Sequence, residues 1–223
     1  MYRPDQTPRN ALEGCSGMTV RSPRHEPARR HGRPLRRDAA ENRERVLAAA
    51  VALFAREGRD VSMATIADEA GVGVGTLYRR YPTREMLLQA LTERSFELVL
   101  GAIERVRQED VPAIGKLEMF YDATIAHRQE LVLPLHGGPP DLSDAAKVTR
   151  NRIREMAEDI LKEGRSDRTI RADVTAADVI GFGALLAHTL SSDPKWVVVL
   201  HRQKQIYLAG LAPSAPALEE FPT

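Results

Sequence analysis

The sequence of 223 residues predicts an all-α fold. Along most of the chain, apolar residues recur at intervals of three and four, the spacing that places them on one face of a helix. No stretch keeps the two-residue alternation of β-branched residues that indicates a half-buried strand. Trp196 to Leu200 also suits a short strand, but the helical patterns on both sides favour a helix there.

Four helices are predicted in the first half of the chain, from residues that start or stop a helix. Ser62 and Thr83 suit helix N-termini, because their hydroxyls accept hydrogen bonds from free backbone N–H groups. Gly58 and Gly71 suit the left-handed backbone at a helix C-terminus, and Pro82 cannot continue a helix. The predicted helices run from about Arg36 to Gly58, from Ser62 to Ala70, over 74–80, and from Glu85 to about Gln108.

Four further helices are predicted in the second half. Their apolar faces are separated by segments rich in glycine and proline, such as 134–140 and 164–167. The predicted bounds are about 113–132, 143–163, 175–191 and 194–210.

The net charge of +1 hides an uneven distribution of charge. Residues 1–37 contain nine arginines and three acidic residues, whereas residues 38–223 contain 23 basic and 28 acidic ones. Residues 1–35 are rich in proline and lack apolar periodicity, which predicts a disordered, arginine-rich arm. Because arginine suits bidentate phosphate contacts, this arm favours a nucleic acid or another acidic partner.

Composition and spacing exclude several classes of protein. The single cysteine, Cys15, cannot form an internal disulfide or a thiolate metal cage, which fits a reducing compartment. The longest apolar run, Val46 to Ala55, is too short for the roughly 20 residues that span a bilayer. The N-terminus also lacks the apolar segment of a secretory signal. We therefore expect a cytoplasmic protein with no membrane partner.

Enzyme signatures are also absent from the sequence. Gly71, Gly73 and Gly75 are spaced like a phosphate-binding loop, but such a loop follows a strand, and here a predicted helix precedes it. The six histidines show no metal-ligand spacing on one helix face, and no nucleophile–base arrangement is legible. We expect no enzymatic activity, no cofactor and no metal.

Residues 62–81 contain the most specific pattern in the sequence. Two short predicted helices are joined by a tight turn at Gly71, and small apolar residues such as Ile66 let the pair lie close together. This arrangement is typical of a helix-turn-helix, whose second helix enters the major groove of DNA. Leu77 and Tyr81 are expected in the core of the motif rather than on its DNA-binding face.

Together with its flanks, this segment closely resembles the DNA-binding domain of TetR-type (tetracycline-repressor-like) transcriptional regulators. The resemblance lies in Arg45–Ala50, Leu53–Gly58, Ile66–Val72, Gly75–Tyr81 and Pro82–Leu88. It implies a three-helix helix-turn-helix DNA-binding domain over 36–84 and a larger helical ligand-binding and dimerisation domain over 85–211. Residues 212–223 are then expected to form a flexible tail.

The resemblance also implies which residues bind DNA. They are Ser62, Thr76, Tyr78 and Arg84 at phosphates, Val74, Gly75 and Arg79 at base edges, and Arg80 on the same face. Two positions depart from the family. Gly73 stands where a capping Ser or Thr is usual, and Val74 replaces a polar residue, so that its contact is apolar, as to a thymine methyl.

The predicted DNA-binding face depends on where its charges are placed. Residues 38–91 contain seven basic and eight acidic residues, so the domain is not strongly basic. A positive DNA-binding face therefore requires that Arg79, Arg80 and Arg84 lie close together on one side of the domain. The arm either assists by reaching the DNA backbone or minor groove, or is only a solubilising extension.

In the C-terminal domain the family layout implies a pocket for a small apolar or amphipathic ligand. The bulky apolar residues expected to line it are Phe96, Phe120, Tyr121, Met156 and Phe182, with His127 as a further polar contact. The same residues also suit a plain helical core. The helices expected over Ala176 to Leu190 and Trp196 to Leu211 contain small residues that allow close approach, as in a four-helix dimer interface.

These expectations combine into one functional hypothesis and two alternatives. The hypothesis is a homodimeric transcriptional repressor that binds a palindromic operator and is released by its ligand. The alternatives are a helical small-molecule carrier or enzyme without DNA binding, and a ligand-independent nucleoid-associated protein.

Overall fold

The computed structural model describes residues 34–57, 60–132, 138–139, 141–188, 193 and 195–218, with side chains from residue 38 onward. These residues form eight α-helices, one 3-10 turn and no strand, which confirms the all-α prediction. The predicted arm lies almost entirely outside them. No helix in these ranges combines the length and the apolar character needed to cross a bilayer.

In chain order, the bounds of the helices are α1 Pro34–Glu57, α2 Met63–Glu69, α3 Val74–Arg80, α4 Arg84–Arg107, α5 Ala113–His127, α6 Asp144–Ser166, α7 Ala176–Ala187 and α8 Trp196–Gly210. The 3-10 turn, Arg128–Glu130, directly follows α5. The segment Trp196 to Leu200 is helical, as predicted.

Local chemistry explains where α2 and α4 begin. The Ser62 hydroxyl accepts a hydrogen bond from the Thr65 N–H at 3.0 Å, and the Thr83 hydroxyl accepts one from the Met86 N–H at 3.3 Å. Between α2 and α3, Gly71 has a φ of +62°, which residues with a Cβ rarely adopt. The predicted caps Ser62 and Thr83 and the predicted turn at Gly71 are therefore confirmed, whereas Gly58 lies outside the described residues.

The later helices differ from the prediction at their ends. The segment predicted as one helix over 113–132 ends its α-helical part at His127 and then tightens into the 3-10 turn. Helix α6 extends to Ser166 instead of residue 163. Helix α7 ends at Ala187 instead of residue 191, because His188 adopts an extended backbone with ψ of 120°.

Two hydrophobic cores divide the described chain into what we call the head and the body. The head consists of α1–α3 and the first half of α4, and its buried residues include Leu47, Ile66, Leu77, Leu87 and Leu91. The body consists of the rest of α4 with α5–α8, and its buried residues include Ile103, Leu117, Ile153, Ile160 and Val179. Helix α4 thus belongs to both cores, and the head core continues past residue 84.

The segment after α8 is held against the body where the sequence predicts a flexible tail from residue 212. Arg171 donates hydrogen bonds to the carbonyl oxygens of Gly210 and Pro216. Asp173 accepts a hydrogen bond from the Leu218 N–H at 3.0 Å. These contacts fix residues 212–218 to the turn between α6 and α7, and residues 219–223 lie outside the described residues.

Candidate nucleic-acid interface and ligand cavity

Helix α3 presents most of its surface to solvent. Leu77 is 1% exposed and anchors the helix in the head core, whereas Tyr78 is 46% exposed and Val74 is 38% exposed. Gly75 and Thr76 are exposed as well. The expected burial of Leu77 is confirmed, and so is that of Tyr81. The predicted contact residues of α3 therefore lie together on the solvent side of the motif.

The start of α3 is less firmly held than that of α2. Gly73 has no side chain that could accept a hydrogen bond from the first N–H groups of α3. The Thr76 N–H donates to the Gly73 carbonyl at 2.8 Å. The departure from the family pattern at Gly73 thus leaves the helix without a side-chain cap.

Arg79 and Arg80 are exposed, and neither has a carboxylate partner among the described residues. A groove of about 470 Å³ lies between α3 and the N-terminal part of α1. Arg79 and Arg80 line it from α3, and Asn42 and Arg43 line it from α1. Unpaired guanidinium groups beside a groove are available for phosphate or base contacts.

Arg43 and Asn42 are candidate contact residues that the sequence did not indicate. Among the described residues, the one ion pair of Arg43 is with the exposed carboxylate of Glu44, at 3.4 Å. Arg43 lies beside α3 because of the way α1 packs against the motif, which depends on tertiary structure. Nothing in the local sequence of α1 distinguishes it from an ordinary solvated arginine.

The two remaining predicted phosphate contacts lie at helix starts. The Ser62 hydroxyl is exposed and also lies 2.8 Å from the Thr65 hydroxyl. Arg84 is half-buried, donates a hydrogen bond to the Val61 carbonyl, and lies 5.1 Å from the centre of the Phe54 ring. Arg84 therefore joins α4 to α1 within the head, and its phosphate contact stays a prediction.

The body contains a small cavity between α4, α5, α6 and α7. It has a volume of about 40 Å³, and the predicted ligand-binding residues Phe96 and Phe120 both line it. The sequence did not identify its other lining residues, which include Val99, Thr124, Leu131, Arg150, Ile180 and Gly183. Helix rotation decides which side chains face a cavity, and an apolar pattern alone does not separate cavity lining from core.

Three predicted ligand-binding residues lie away from this cavity. Tyr121 is fully buried, donates its hydroxyl proton to the Val179 carbonyl at 3.3 Å, and contacts the rings of Phe182 and Tyr207 edge-on. Phe182 and Tyr207 stack at 3.8 Å between ring centres. Met156 packs against the body core without lining the cavity. The structure thus places Tyr121 in the core and Phe182 and Met156 against it, and the role of these three in ligand binding stays a prediction.

A polar network joins the head and the body close to this cavity. Arg94 on α4 lies 3.4 Å from Glu44 on α1 and 3.2 Å from Glu130 in the 3-10 turn. His127 Nδ1 lies 2.9 Å from the other carboxylate oxygen of Glu130. The hydrogen bond with His127, helped by the charge of Arg94, holds the pKa of Glu130 below its ordinary value. His127 therefore belongs to this network and does not line the cavity.

The backbone after the 3-10 turn also spans the two cores. Leu131 lines the cavity of the body, whereas Val132 is buried in the head core. The Val132 N–H donates to the Ser95 hydroxyl of α4 at 2.7 Å. Leu131 and Val132, which are consecutive in the chain, thus contact the body cavity and the head core, respectively.

Metal-ligating side chains do not cluster in the part of the chain that the structure describes. No group of three or more His, Cys, Asp or Glu residues there could hold a metal ion. His201 lies 3.3 Å from Asp122, and His127 contacts Glu130, each as a pair.

The chain is similar to known proteins both in its head and over most of its length. The family model for bacterial regulatory proteins of the tetR family matches residues 46–91. The HTH-type transcriptional repressor KstR2 of Mycolicibacterium smegmatis is 27% identical over 169 residues, which are 72% of this chain and 78% of that repressor.

Two solved structures extend the likeness. The TetR transcription regulatory protein from Mycobacterium vanbaalenii is 32% identical and has a TM-score of 0.58, over 80% of this chain and 99% of that one. The TetR transcriptional regulator SCO0520 from Streptomyces coelicolor is 30% identical with a TM-score of 0.53, over 78% of this chain and 99% of that one. The helix-turn-helix of the head, the helical body and these relatives lead to one conclusion: the chain belongs to the TetR family of bacterial transcriptional regulators.

Proposed function

We propose that this DNA-binding regulator is a homodimeric repressor that binds a palindromic operator through α3 and is released when a small molecule enters the body. The observation that supports it most strongly is the face of α3. Tyr78, Arg79 and Arg80 are exposed there, and neither arginine has a carboxylate partner among the described residues.

The chemistry of this face suits the major groove. Arg79 suits guanine, whose O6 and N7 accept two hydrogen bonds from one guanidinium group. Val74 offers an apolar surface for a thymine methyl. Thr76, Tyr78 and Ser62 have hydroxyls for phosphate oxygens, and these contacts hold the helix in position.

Dimerisation is supported by apolar side chains that the body leaves in solvent. Leu185 on α7 is 65% exposed, and Val198 and Ile206 on α8 are 70% and 57% exposed. Gly181 and Ala177 lie about one and two turns before Leu185, so this side of α7 is flat enough for a second helix to lie against it. Two copies joined through α7 and α8 would bury these residues in a four-helix interface.

A dimer also accounts for an operator with two half-sites. Recognition helices held about 34–36 Å apart reach successive major grooves on one side of the duplex. Because each copy adds its own base and phosphate contacts, a change in this separation weakens binding at both half-sites. Control of that separation is therefore sufficient for control of binding.

Ligand release is supported by the size and position of the body cavity. Its volume of about 40 Å³ is far below the roughly 300–1,000 Å³ of common ligand pockets. A ligand can therefore bind only if the helices around it move apart, and this gives it a higher affinity for the widened state. Leu131 lines the cavity and its neighbour Val132 lies in the head core, so widening displaces a support of the head.

The first experiment tests specific DNA binding. Fluorescence anisotropy is measured at fixed salt with the DNA upstream of the protein's own gene and with a shuffled duplex of equal length. We expect tight binding of a palindrome within the upstream DNA and at least 100-fold weaker binding of the shuffled duplex. Equal affinity for both would instead support a nucleoid-associated protein, and no binding to either would support a carrier or enzyme.

The dimer is tested with two matched substitutions. Leu185→Glu places a charge in the proposed interface, and Val148→Glu places one at a similarly exposed apolar residue of α6. Light scattering is expected to show a monomer for Leu185→Glu and a dimer for Val148→Glu. If both variants remain dimeric, α7 is not the interface.

The link between the body and the head is tested through Arg94. Arg94→Met removes the ion pairs to Glu44 and Glu130, and Arg105→Met removes an exposed charge from the same helix. We expect Arg94→Met to bind operator DNA but to need a higher ligand concentration for release, while Arg105→Met behaves as the wild type. An unchanged release curve for Arg94→Met would remove this network from the mechanism.

A further inference from the structure

Arg150 on α6 differs from the other residues that line the body cavity. It lines the cavity and is exposed, so its side chain reaches from the cavity wall to solvent. The rest of the lining is apolar except for Thr124. The Thr124 hydroxyl already donates to the Phe120 carbonyl of its own helix at 3.0 Å. Arg150 is therefore the one polar lining residue with its donors unused among the described residues.

Arg150 combines a place in the cavity wall with the lack of a carboxylate partner among the described residues. Its neighbours on α6 both have carboxylate partners, Lys147 with Asp144 at 3.0 Å and Arg152 with Glu104 at 2.7 Å. Arg150 has no such partner in the part of the chain that the structure describes. An unpaired guanidinium at the mouth of an apolar cavity is complementary to an anion that carries an apolar group.

We propose that the ligand is an amphipathic anion, with an apolar tail in the cavity and a terminal carboxylate or phosphate held by Arg150. This inference rests on the proposed function, because it names the chemical class of ligand for the same cavity. The tail lies among Phe96, Phe120 and Ile153, and the head group lies at the solvent end. The planar guanidinium donates two parallel hydrogen bonds to either head group.

The same placement explains how the ligand selects the widened state. The tail needs more space than about 40 Å³, so its entry separates α6 and α7 from α4 and α5. Burial of the tail supplies one part of the binding free energy, and the charged hydrogen bonds with Arg150 supply a second part and fix the orientation of the ligand. A neutral molecule of equal length keeps the first contribution and loses the second.

The test uses probes that share an eight-carbon tail. Octanoate, octyl phosphate, 1-octanol and octylamine are titrated into the free protein, and binding is followed by the fluorescence of its single tryptophan, Trp196, which packs against the body core. Calorimetry provides a second measurement of each affinity. We expect at least one of the two anions to bind about tenfold or more tightly than octanol, and octylamine to bind most weakly. The comparison of octanoate with octyl phosphate decides between the two head groups.

Three variants separate the two parts of the site. Arg150→Gln is expected to bring the affinity for the anions down to that for octanol. Ala184→Leu, which extends a side chain that lines the cavity, is expected to weaken all four probes. Arg154→Gln is the matched control, because Arg154, one turn further along α6, is exposed, has no carboxylate partner among the described residues and does not line the cavity.

Several results would overturn the proposal. The first is that octanol binds as tightly as both anions. The second is that Arg154→Gln lowers the affinity for the anions as much as Arg150→Gln does, and the third is that no probe binds. Release of operator DNA is measured separately with the same probes. If octanol releases the DNA as well as the anions do, the anion site fails while the regulator function stands. If the anions bind through Arg150 but the protein binds no operator, the anion site stands and the regulator function fails.

Discussion

The head and the body use positive charge in opposite ways. In the head, Arg79 and Arg80 are exposed and have no carboxylate partner among the described residues. In the body, three basic residues are buried, and each has a carboxylate partner: Lys116 with Glu163 at 2.9 Å, Lys204 with Asp122 at 2.7 Å, and Arg171 with Asp173 at 2.6 Å. The body thus neutralises its buried cations within the fold, whereas Arg79 and Arg80 of the head stay available to another molecule.

This difference shows why net charge says little about function here. The whole chain has a net charge of +1, which by itself favours no partner. A cation already paired within the protein adds little attraction for DNA, whereas an unpaired one beside a groove can replace condensed counterions on the phosphates. By the same reasoning, an unpaired cation in the body, such as Arg150, is expected to serve a ligand.

The largest effect is expected when the unpaired face of the head is removed. Tyr78→Ala combined with Arg79→Ala deletes the proposed phosphate contact and the proposed base contact from each half-site. Each lost contact weakens binding by about 1–3 kcal/mol, and the proposed dimer would lose four of them. Operator binding is therefore expected to fall more than 100-fold in anisotropy titrations, with the thermal midpoint unchanged.

The control for this prediction lies in the body. Arg154 is exposed and unpaired like Arg79, so Arg154→Ala removes an equal charge from a surface that is not expected to touch DNA. Operator affinity should stay within about twofold of the wild type. If Arg154→Ala weakens binding as much as the change in α3, the interface is not confined to the head.

Local chemistry made the helix-turn-helix predictable from the sequence. Ser62, Gly71 and Thr83 determine helix ends through hydrogen bonds and backbone angles that depend only on near neighbours. The spacing of Leu77 and Tyr81 predicted their burial, which the structure confirms. Most of the fold of the head could be predicted for this reason.

Tertiary packing made the ligand cavity harder to predict. Phe120 lines the cavity and its neighbour Tyr121 lies in the core, a distinction set by the rotation of α5 against three other helices. Arg150 and Arg154 look alike in the sequence and differ only in their position relative to the cavity. Val132 is buried in the head core although it lies about 40 residues after the last of the other residues of that core, and no local sequence pattern indicates this contact.

A second prediction concerns how tightly the body is packed. A Cβ at Gly164 would lie 2.4 Å from Ile170 Cδ1 and 2.9 Å from Ile170 Cβ. Gly164→Ala is therefore expected to lower the free energy of unfolding by about 1–3 kcal/mol, measured by urea denaturation. The operator affinity of the folded fraction should not change, because the strain lies far from α3.

The matched control is another helical glycine. At Gly101 an added Cβ would meet only the end of the Arg105 side chain, at 3.5 Å. Gly101→Ala should therefore raise stability by about 0.5–1 kcal/mol, since alanine favours helix more than glycine does. Equal destabilisation at both sites would contradict the packing argument.

A third, smaller effect is expected at the buried cation of α8. Lys204→Met keeps an apolar stem but leaves Glu118 and Asp122 without their shared cation. Both carboxylates are about half-exposed and keep part of their hydration, so we expect a loss of about 1–2 kcal/mol, less than for a fully buried pair. Denaturation of Lys204→Met is compared with Lys195→Met, an exposed lysine next to α8 that should have little effect. A neutral result for Lys204→Met would mean that this ion pair does not stabilise the body.

The smallest effect is expected in the pH dependence of stability. Hydrogen bonds from Arg171 and from the Leu218 N–H hold the pKa of Asp173 well below its ordinary value. A carboxylate with a lowered pKa in the folded state stabilises the protein above its unfolded pKa of about 3.9, and this contribution is lost as the pH falls below that value. Asp173→Asn should therefore lower stability at pH 7 and reduce the further loss that occurs as the pH falls below about 4. Hydrogen exchange at the Leu218 amide should become faster in this variant, because its acceptor is weakened, and operator binding should stay unchanged. An unaltered pH profile together with an unaltered Leu218 amide would show that the charge of Asp173 does not hold the C-terminal segment to the body.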